Sequence, residues 1–431
     1  MSTPSRVRLR AYKVGFGDCL LLTMTYRSKL PDGRTERHVL IDCGSVARAD
    51  DGPRMAEVAE LIAEHSGGQL DAVVATHRHR DHVGGFGDAR AGETLDRLKP
   101  RLVIRPWTDV PESERDQLDD DQRHFLGILD QLPAQAERLG LFAFDSVAQA
   151  KRAARLAELG FKNAAAIARL EGWASDSKAH YVTAGETIDV EAELPGVKIQ
   201  VLGPPTLKDV PALTRYAKES EEYWLGLAGD SALAELLQPS GTATPARARR
   251  TLAQPGGVGA AEWLLRNLDE RRVSQGLEIV EALDDVLNNT SVILLVTIGS
   301  RRILLPGDAQ AENWSRTLDQ LKTNRRLATA LGKVDLYKVG HHGSRNATPK
   351  RLTAHWAQSA HPVTSLLTTK RGVFEKSREG AVPKPELIDG LAALGPVHNT
   401  DDLPPDVWWL DLEAPTRGPA NFAATPGPPV R

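Results

Sequence analysis

The chain has 431 residues, 41% hydrophobic and 26% charged, with a formal net charge of −3. That composition fits two or three globular domains, or one large domain with an insertion, and announces no polyanion partner for the molecule as a whole. No apolar run reaches the roughly 18 residues of a membrane helix, and the opening "MSTPSRVRLRAYKVG" lacks the apolar core of a signal peptide. Two cysteines make no disulfide framework, so the expected setting is a reducing cytoplasm without membrane association.

In chain order, "VRLRAYKV", "CLLLTMTY" and "RHVLIDCG" are β-rich runs separated by turn residues. The turn "LPDGR" joins the second and third, setting Cys19 and Cys43 roughly opposite each other, either as two small buried apolar residues or as a redox pair. Residues 54–65 carry apolar positions at helical spacing. "LDAVVATH" reads as a buried strand ending at His77, and "RLVIRPW" as another.

From about 109 to 285 the texture becomes helical, most plainly in "AQAKRAARLAELGFKNAAAIARLEG", with two strand-like pieces, "HYVTAGETIDV" and "VKIQVLGP". Residues 238–259 have the Pro, Gly, Ser and Thr content of an exposed loop, and their arginines suit protease cleavage. Strands return in "SVILLVTIG", "RRILLPGD", "VDLYKVGHHGS", "VTSLLTT" and "DVWWLDLE", with a helix near 311–331. The last dozen residues, rich in Pro, Gly and Ala, suggest a frayed tail. The expected organisation is one α/β domain split into 1–108 and 290–412, a mainly helical insertion over 109–289, and a flexible tail over 413–431.

"THRHRDHVGG" places three of the chain's 12 histidines, His77, His79 and His82, with Asp81 inside six positions. Imidazole and carboxylate are the ligands of Zn, Mn and Fe. In extended chain, His77 and His79 point the same way, and past a bend Asp81 and His82 can face a second ion. Gly84 and Gly85 then allow a sharp turn without crowding.

"THRHRDH" resembles the HxHxDH signature of the metallo-β-lactamase superfamily, and the resemblance implies an αβ/βα sandwich. "VGFGDCLLL", "LIDCG", "NNTSVILLVTIGSRRILLPGDA", "KVGHHGS" and "PKPELIDGLAALGPVHNTDD" are together similar to the soluble nuclease-like domain of ComEC-type competence proteins, over about 1–108 and 290–412. The resemblance implies that Asp42 supports the ligand loop, that Asp308 bridges two metals, and that His341-His342 form the last ligand element. It implies His77 and His79 on one ion, and Asp81, His82 and a C-terminal histidine on the other. We take His341 as that ligand and His342, with Asp81, as catalytic groups; Asp18 of "GFGD" sits where the family's Gly-x-Gly-Asp loop approaches the site. For the family's further histidine on the first metal, the chain between 83 and 290 holds only His124 and His180, neither in a ligand context, and Lys384-Pro385 stands where the pattern often has His-Pro.

The cofactors implied are two divalent ions, Zn or Mn, about 4 Å apart, activating water and holding both attacking and leaving oxygens. Charge selects among substrates. From Lys338 to Lys384 there are nine Lys or Arg and two Glu, a local charge of +7, the kind of cluster that binds phosphate backbones. Lys338, Ser344, Arg345 and Lys370 are the candidate substrate contacts. "TDVPESERDQLDDD" holds seven acids and one Arg where the insertion opens, which suggests that the insertion covers the basic groove until a protease or a partner protein displaces it. The leading expectation is therefore a metal-dependent nuclease acting on DNA. Its rivals are a small-molecule hydrolase of a cyclic nucleotide, lactone or thioester, and a non-catalytic metal-bearing regulatory module.

Overall fold

Strand after strand carries apolar side chains on both faces, the pattern of sheets covered on two sides. The computed structural model describes residues 2–127, 163–206, 287–373, 381–419 and 421–430. β1 (Arg6–Tyr12), β2 (Cys19–Thr25), β3 (Glu36–Cys43), β4 (Ala72–Val74), β5 (Leu102–Pro106), β6 (Lys178–Val182), β14 (Trp409–Pro415) and β15 (Ala423–Pro426) form one sheet. Its order is β15-β14-β1-β2-β3-β4-β5-β6. β7 (Thr187–Ile188), β8 (Val197–Gly203), β9 (Ile293–Ile298), β10 (Arg301–Leu305), β11 (Leu336–Lys338), β12 (Thr364–Leu367) and β13 (Val397–Asn399) form the other, in the order β13-β12-β11-β10-β9-β8-β7.

Period-two alternation sorts the strand side chains between three cores. Leu20, Leu22 and Met24 of β2, Val39 and Ile41 of β3, Leu294 and Val296 of β9, and Ile303 and Leu305 of β10 meet between the sheets. Their neighbours Leu21, Leu40 and Val73 face outward, under α1 (Met55–His65), α2 (Arg80–Gly87), α3 (Ala89–Asp96) and α4 (Ala164–Asp176). Leu295, Leu304 and Tyr337 face α5 (Ala311–Gln320), α6 (Arg325–Leu331), α7 (Lys350–Ser359) and α8 (Pro385–Ala392). The result is the expected αβ/βα sandwich of helix, sheet, sheet and helix layers.

Two expected boundaries differ from the structure. Residues 164–203, placed in the 109–289 insertion, supply α4 and strands of both sheets: β6 pairs in parallel with β5, and β8 pairs antiparallel with β9. Their short apolar alternations belong to the core, although helical sequence surrounds them. Within that span, residues 128–162 and 207–286, with the loop expected at 238–259, lie outside the described residues. The tail also differs: β15 pairs with β14, Phe422 is buried, and the Val430 N–H donates to the Asp406 carbonyl at 2.8 Å. The helix expected near 311–331 is two, because Asn324 caps α6 by accepting from the Leu327 N–H at 3.1 Å. Cys19 and Cys43 do face each other across β2 and β3, both fully buried and unbridged.

Candidate metal centre

Parallel strands deliver their C-terminal ends to one edge of a sheet. β3 and β4 run in parallel, as do β10, β11 and β12. Asp42 is the penultimate residue of β3, while His77, Asp308, His342 and Thr368 follow β4, β10, β11 and β12 within four residues. The backbone stays extended through His79 (φ −66°, ψ 147°) and then enters α2, so Asp81 and His82 fall in a first helical turn. The bend the histidine motif suggested is therefore a helix start. Ring centroids of His77 lie 4.7 Å from His79 and 4.2 Å from His82.

Glycine makes this packing possible. A Cβ on Gly44 would stand 2.5 Å from the Arg80 carbonyl oxygen, and one on Gly17 would stand 2.7 Å from that of Asp81. The "GFGD" and "DCG" loops thus press main chain against the ligand loop, and the Asp18 N–H donates to the Asp81 carbonyl at 2.9 Å.

Asp81, His82, Asp308 and His342 each offer a donor atom within 4.8 Å of the others, and all four residues are buried. His342 Nε2 lies 3.2 Å from Asp81 Oδ2 and 3.4 Å from Asp308 Oδ2, and His82 Nε2 lies 3.1 Å from Asp308 Oδ2. Burial opposes charge on His342, yet Asp308 and Asp81 carry its pKa up to about 9. Burial likewise opposes charge on His82, and Asp308, Asp42 and Asp18 hold its pKa well above the ordinary value. Asp81 goes the other way: despite burial, His342 and His82 lower it to about 2. His77 is held well below the usual range by burial and by its neighbours His82 and His79. Burial lowers His79 as well and brings His341 to about 4.

This donor set fits divalent ions. Imidazole nitrogens and carboxylate oxygens are the ligands of Zn and Mn. His77 Nε2 and His341 Nδ1 are buried without a hydrogen-bond partner, a costly state that coordination would relieve. His77 and His79 with Asp308 can serve one ion, and Asp81, His82, Asp308 and His342 the other.

One assignment differs from the sequence expectation. The four-residue cluster takes His342, expected as a catalytic group, where His341 was expected as the ligand. Both residues adopt left-handed backbone, with φ of 42° and 52°, so their rings diverge to centroids 6.5 Å apart. Only His342 turns back onto Asp81 and Asp308. The His341 N–H donates to Asp308 Oδ1 at 3.1 Å.

The supporting shell includes residues the motif reading passed over. Asp42 accepts from the Thr76 N–H at 2.8 Å, from Thr76 Oγ1 at 2.7 Å, and from His82 Nδ1 at 2.7 Å. Thr368, after β12, donates its hydroxyl to Asp18 Oδ1 and accepts from His342 Nδ1 through its carbonyl at 2.7 Å. A signal existed for Thr76, which directly precedes the histidines; Thr368 carried none.

Lys338, expected to bind substrate, is 1% exposed and ion-pairs with Asp18. A charged residue at the end of a central strand must find a partner inside. The other expected contacts lie near the surface. Ser344 donates to Asn346 Oδ1 at 2.9 Å, Arg345 is half-buried, and Lys370 pairs with Asp50 at 2.5 Å. Arg351 pairs with Asp319, Arg371 with Asp401 and Asp402, and Lys384 is buried; Lys376 and Arg378 lie outside the described residues. In the acidic run, Asp109 is buried and bound by Arg78 and Arg105, which ties that segment to the ligand loop. His180 lies on β6, away from this cluster, and His124 is exposed.

Residues 32–139 match the metallo-β-lactamase superfamily. A stretch of 65 residues, 15% of this chain, is 40% identical to Recombination protein 2 of Haemophilus influenzae and spans 7% of that protein's length. Among solved structures, Igni18, a metallo hydrolase of Ignicoccus hospitalis, aligns over 91% of this chain and 94% of its own at 9% identity and a TM-score of 0.35. YhfI, a metallo-β-lactamase fold protein of Bacillus subtilis, aligns over 91% and 96% at 9% identity and the same TM-score of 0.35.

Proposed function

We propose that this metallo-β-lactamase-fold hydrolase cleaves phosphodiester bonds in nucleic acid, DNA first among them, with two divalent ions as cofactors. The observation that carries the reading is the convergence of Asp81, His82, Asp308 and His342 on one buried point, with the His77 ring packed between those of His79 and His82. The stretch shared with a recombination protein supports DNA as the substrate.

Bound divalent ions would lower the pKa of a water molecule and stabilise charge on both oxygens of an in-line displacement. The chain's own groups do the rest. Asp308 faces both His82 and His342 through Oδ2, so it can share an ion with them. Asp81, held at about 2, stays ionised at neutral pH and orients an attacking water by accepting a hydrogen bond. His342 donates through Nδ1 to the Thr368 carbonyl, which leaves Nε2 to face the carboxylates. Depressed pKa values keep His77 and His79 neutral, the state a ligand needs.

A second reading, a small-molecule hydrolase, is favoured by one observation. Lys338, Arg351, Lys370 and Arg371 all carry carboxylate partners, which reduces the charge offered to a polymer. Purified protein incubated with Mn²⁺, Zn²⁺ or Mg²⁺ separates the two, using plasmid DNA, RNA, bis-p-nitrophenyl phosphate, a lactone and a thioester, with Asp81→Ala alongside. Metal-dependent DNA cleavage lost in the variant supports the nuclease. Turnover of the small esters with intact nucleic acid would overturn it in favour of the second reading.

A further inference from the structure

Lys338 is a buried ammonium that the hydrolytic mechanism does not use. An ion pair this deep gives little net stability over apolar residues of the same shape, so its presence beside the donor cluster calls for a role in geometry. Its partner Asp18 is 1% exposed and lies between the two histidines of that cluster. Asp18 Oδ1 is 3.7 Å from His342 Nδ1, and Oδ2 is 3.8 Å from His82 Nδ1. Neither histidine is given to Asp18. His342 Nδ1 donates to the Thr368 carbonyl at 2.7 Å, and His82 Nδ1 donates to Asp42 at 2.7 Å.

We propose that Lys338 is a positioning residue of the metal centre: its ammonium, with the Thr368 hydroxyl, occupies Asp18 so that His342 and His82 keep their own partners and aim Nε2 at Asp308. Without Lys338, the Asp18 carboxylate would lack its compensating cation, and the nearest strong donors are the two Nδ1–H groups. It would compete with Thr368 for His342 and with Asp42 for His82, rotating both rings away from the ligand position. The same ammonium supplies the positive charge among Asp18, Asp42 and His82, a second group of donors within 4.8 Å of one another. That group is thereby a support and not a further ion site. The role rests on the metal-centre reading and deepens it.

The test titrates metal-stripped full-length protein with Co²⁺ alone and follows the visible ligand-field bands, which report the number and geometry of the donors around the ion. Lys338→Met is expected to fold, as judged by circular dichroism, and to bind Co²⁺ about 10–100-fold more weakly with displaced bands, the usual effect of losing an outer support. Lys338→Met combined with Asp18→Asn is expected to recover most of that affinity, since a neutral amide no longer competes for the imidazoles. If the single variant does not fold, the double variant carries the test, with Co²⁺ affinity expected within about tenfold of wild type. A folded Lys338→Met with wild-type affinity and spectrum overturns the positioning role alone, as does a double variant no better than the single. Failure of the wild-type protein to bind Co²⁺ overturns the centre and this role together.

Discussion

Asp42→Asn isolates what the buried carboxylate behind the ligand loop does. Asp42 accepts three hydrogen bonds, from the Thr76 N–H, the Thr76 hydroxyl and His82 Nδ1. Asparagine keeps one acceptor for the Thr76 N–H and turns an NH₂ toward His82. His82 Nδ1 must then accept, so its proton moves to Nε2, the nitrogen that faces Asp308 at 3.1 Å. An imidazole protonated there cannot bind an ion. Two hydrogen bonds are rearranged, those of the Thr76 hydroxyl and of His82 Nδ1 to Oδ2, and no cavity forms, so the fold should lose about 2 kcal/mol, while divalent-ion affinity falls about 10–100-fold. Asp42→Ala strands several buried donors and should cost about 3 kcal/mol or more. Calorimetric titration with Zn²⁺ and urea unfolding of the metal-free proteins separate the two effects. An Asp42→Asn protein that binds Zn²⁺ as tightly as wild type would refute the tautomer argument.

Three other outcomes are expected. His38 is 4% exposed, and burial with nearby Arg34, Arg8 and Arg37 lowers its pKa to about 4. The unfolded chain therefore takes up this proton first, so stability is lost as pH falls from about 6.5 toward 4, by about 2 kcal/mol at pH 5. His38→Gln should flatten that part of the urea-stability profile, and an unchanged slope would count against it. Trp356→Ala, which empties a fully buried site and removes the Nε1–H bond to the Leu331 carbonyl at 2.9 Å, should lower stability by about 3–5 kcal/mol; a loss under about 1 kcal/mol would show that α7 packs differently. Gly44→Ala forces a Cβ within 2.5 Å of the Arg80 carbonyl oxygen, whereas Gly67→Ala meets nothing within 4 Å. Only the former should abolish Co²⁺ binding, while the latter costs about 1 kcal/mol for its positive φ, and equal metal affinity in both would contradict the loop stacking.

The strands and the ligand loop were legible because each rests on local pattern, and the sandwich came with the family resemblance that the ligand loop carries. "CLLLTMT" and "ILLVTI" are short apolar, β-rich runs, and His77, His79, Asp81 and His82 are confined to six positions. What stayed hidden depends on conformation or distance. Two successive left-handed residues decide that His342 and not His341 joins Asp81 and Asp308, and nothing in "HHGS" encodes those dihedrals. Lys338 counted toward a basic surface because charge is ordinarily exposed; its place at the end of β11 turned it inward to Asp18, a residue 320 positions earlier. β6 to β8 were visible as strand-like pieces, but their place in the two sheets was not, because β6 pairs with β5 and β8 with β9 across long sequence separations. β15 hid behind Pro and Gly, which suit an edge strand as well as a tail.

The pairing of His342 with Asp81 spans 261 positions, and that separation shapes the life of the protein during synthesis. At about 5–20 residues per second, roughly 10–50 s pass between the ribosome's addition of Asp81 and of His342. Throughout that interval the nascent chain presents His77, His79 and His82 without the carboxylate and imidazole that complete their surroundings. β8 must also pair with β9 across a long sequence separation, a slow step for any chain. Ion capture thus belongs to the end of folding, and a resident ion would act as a clasp between the two halves of the sandwich.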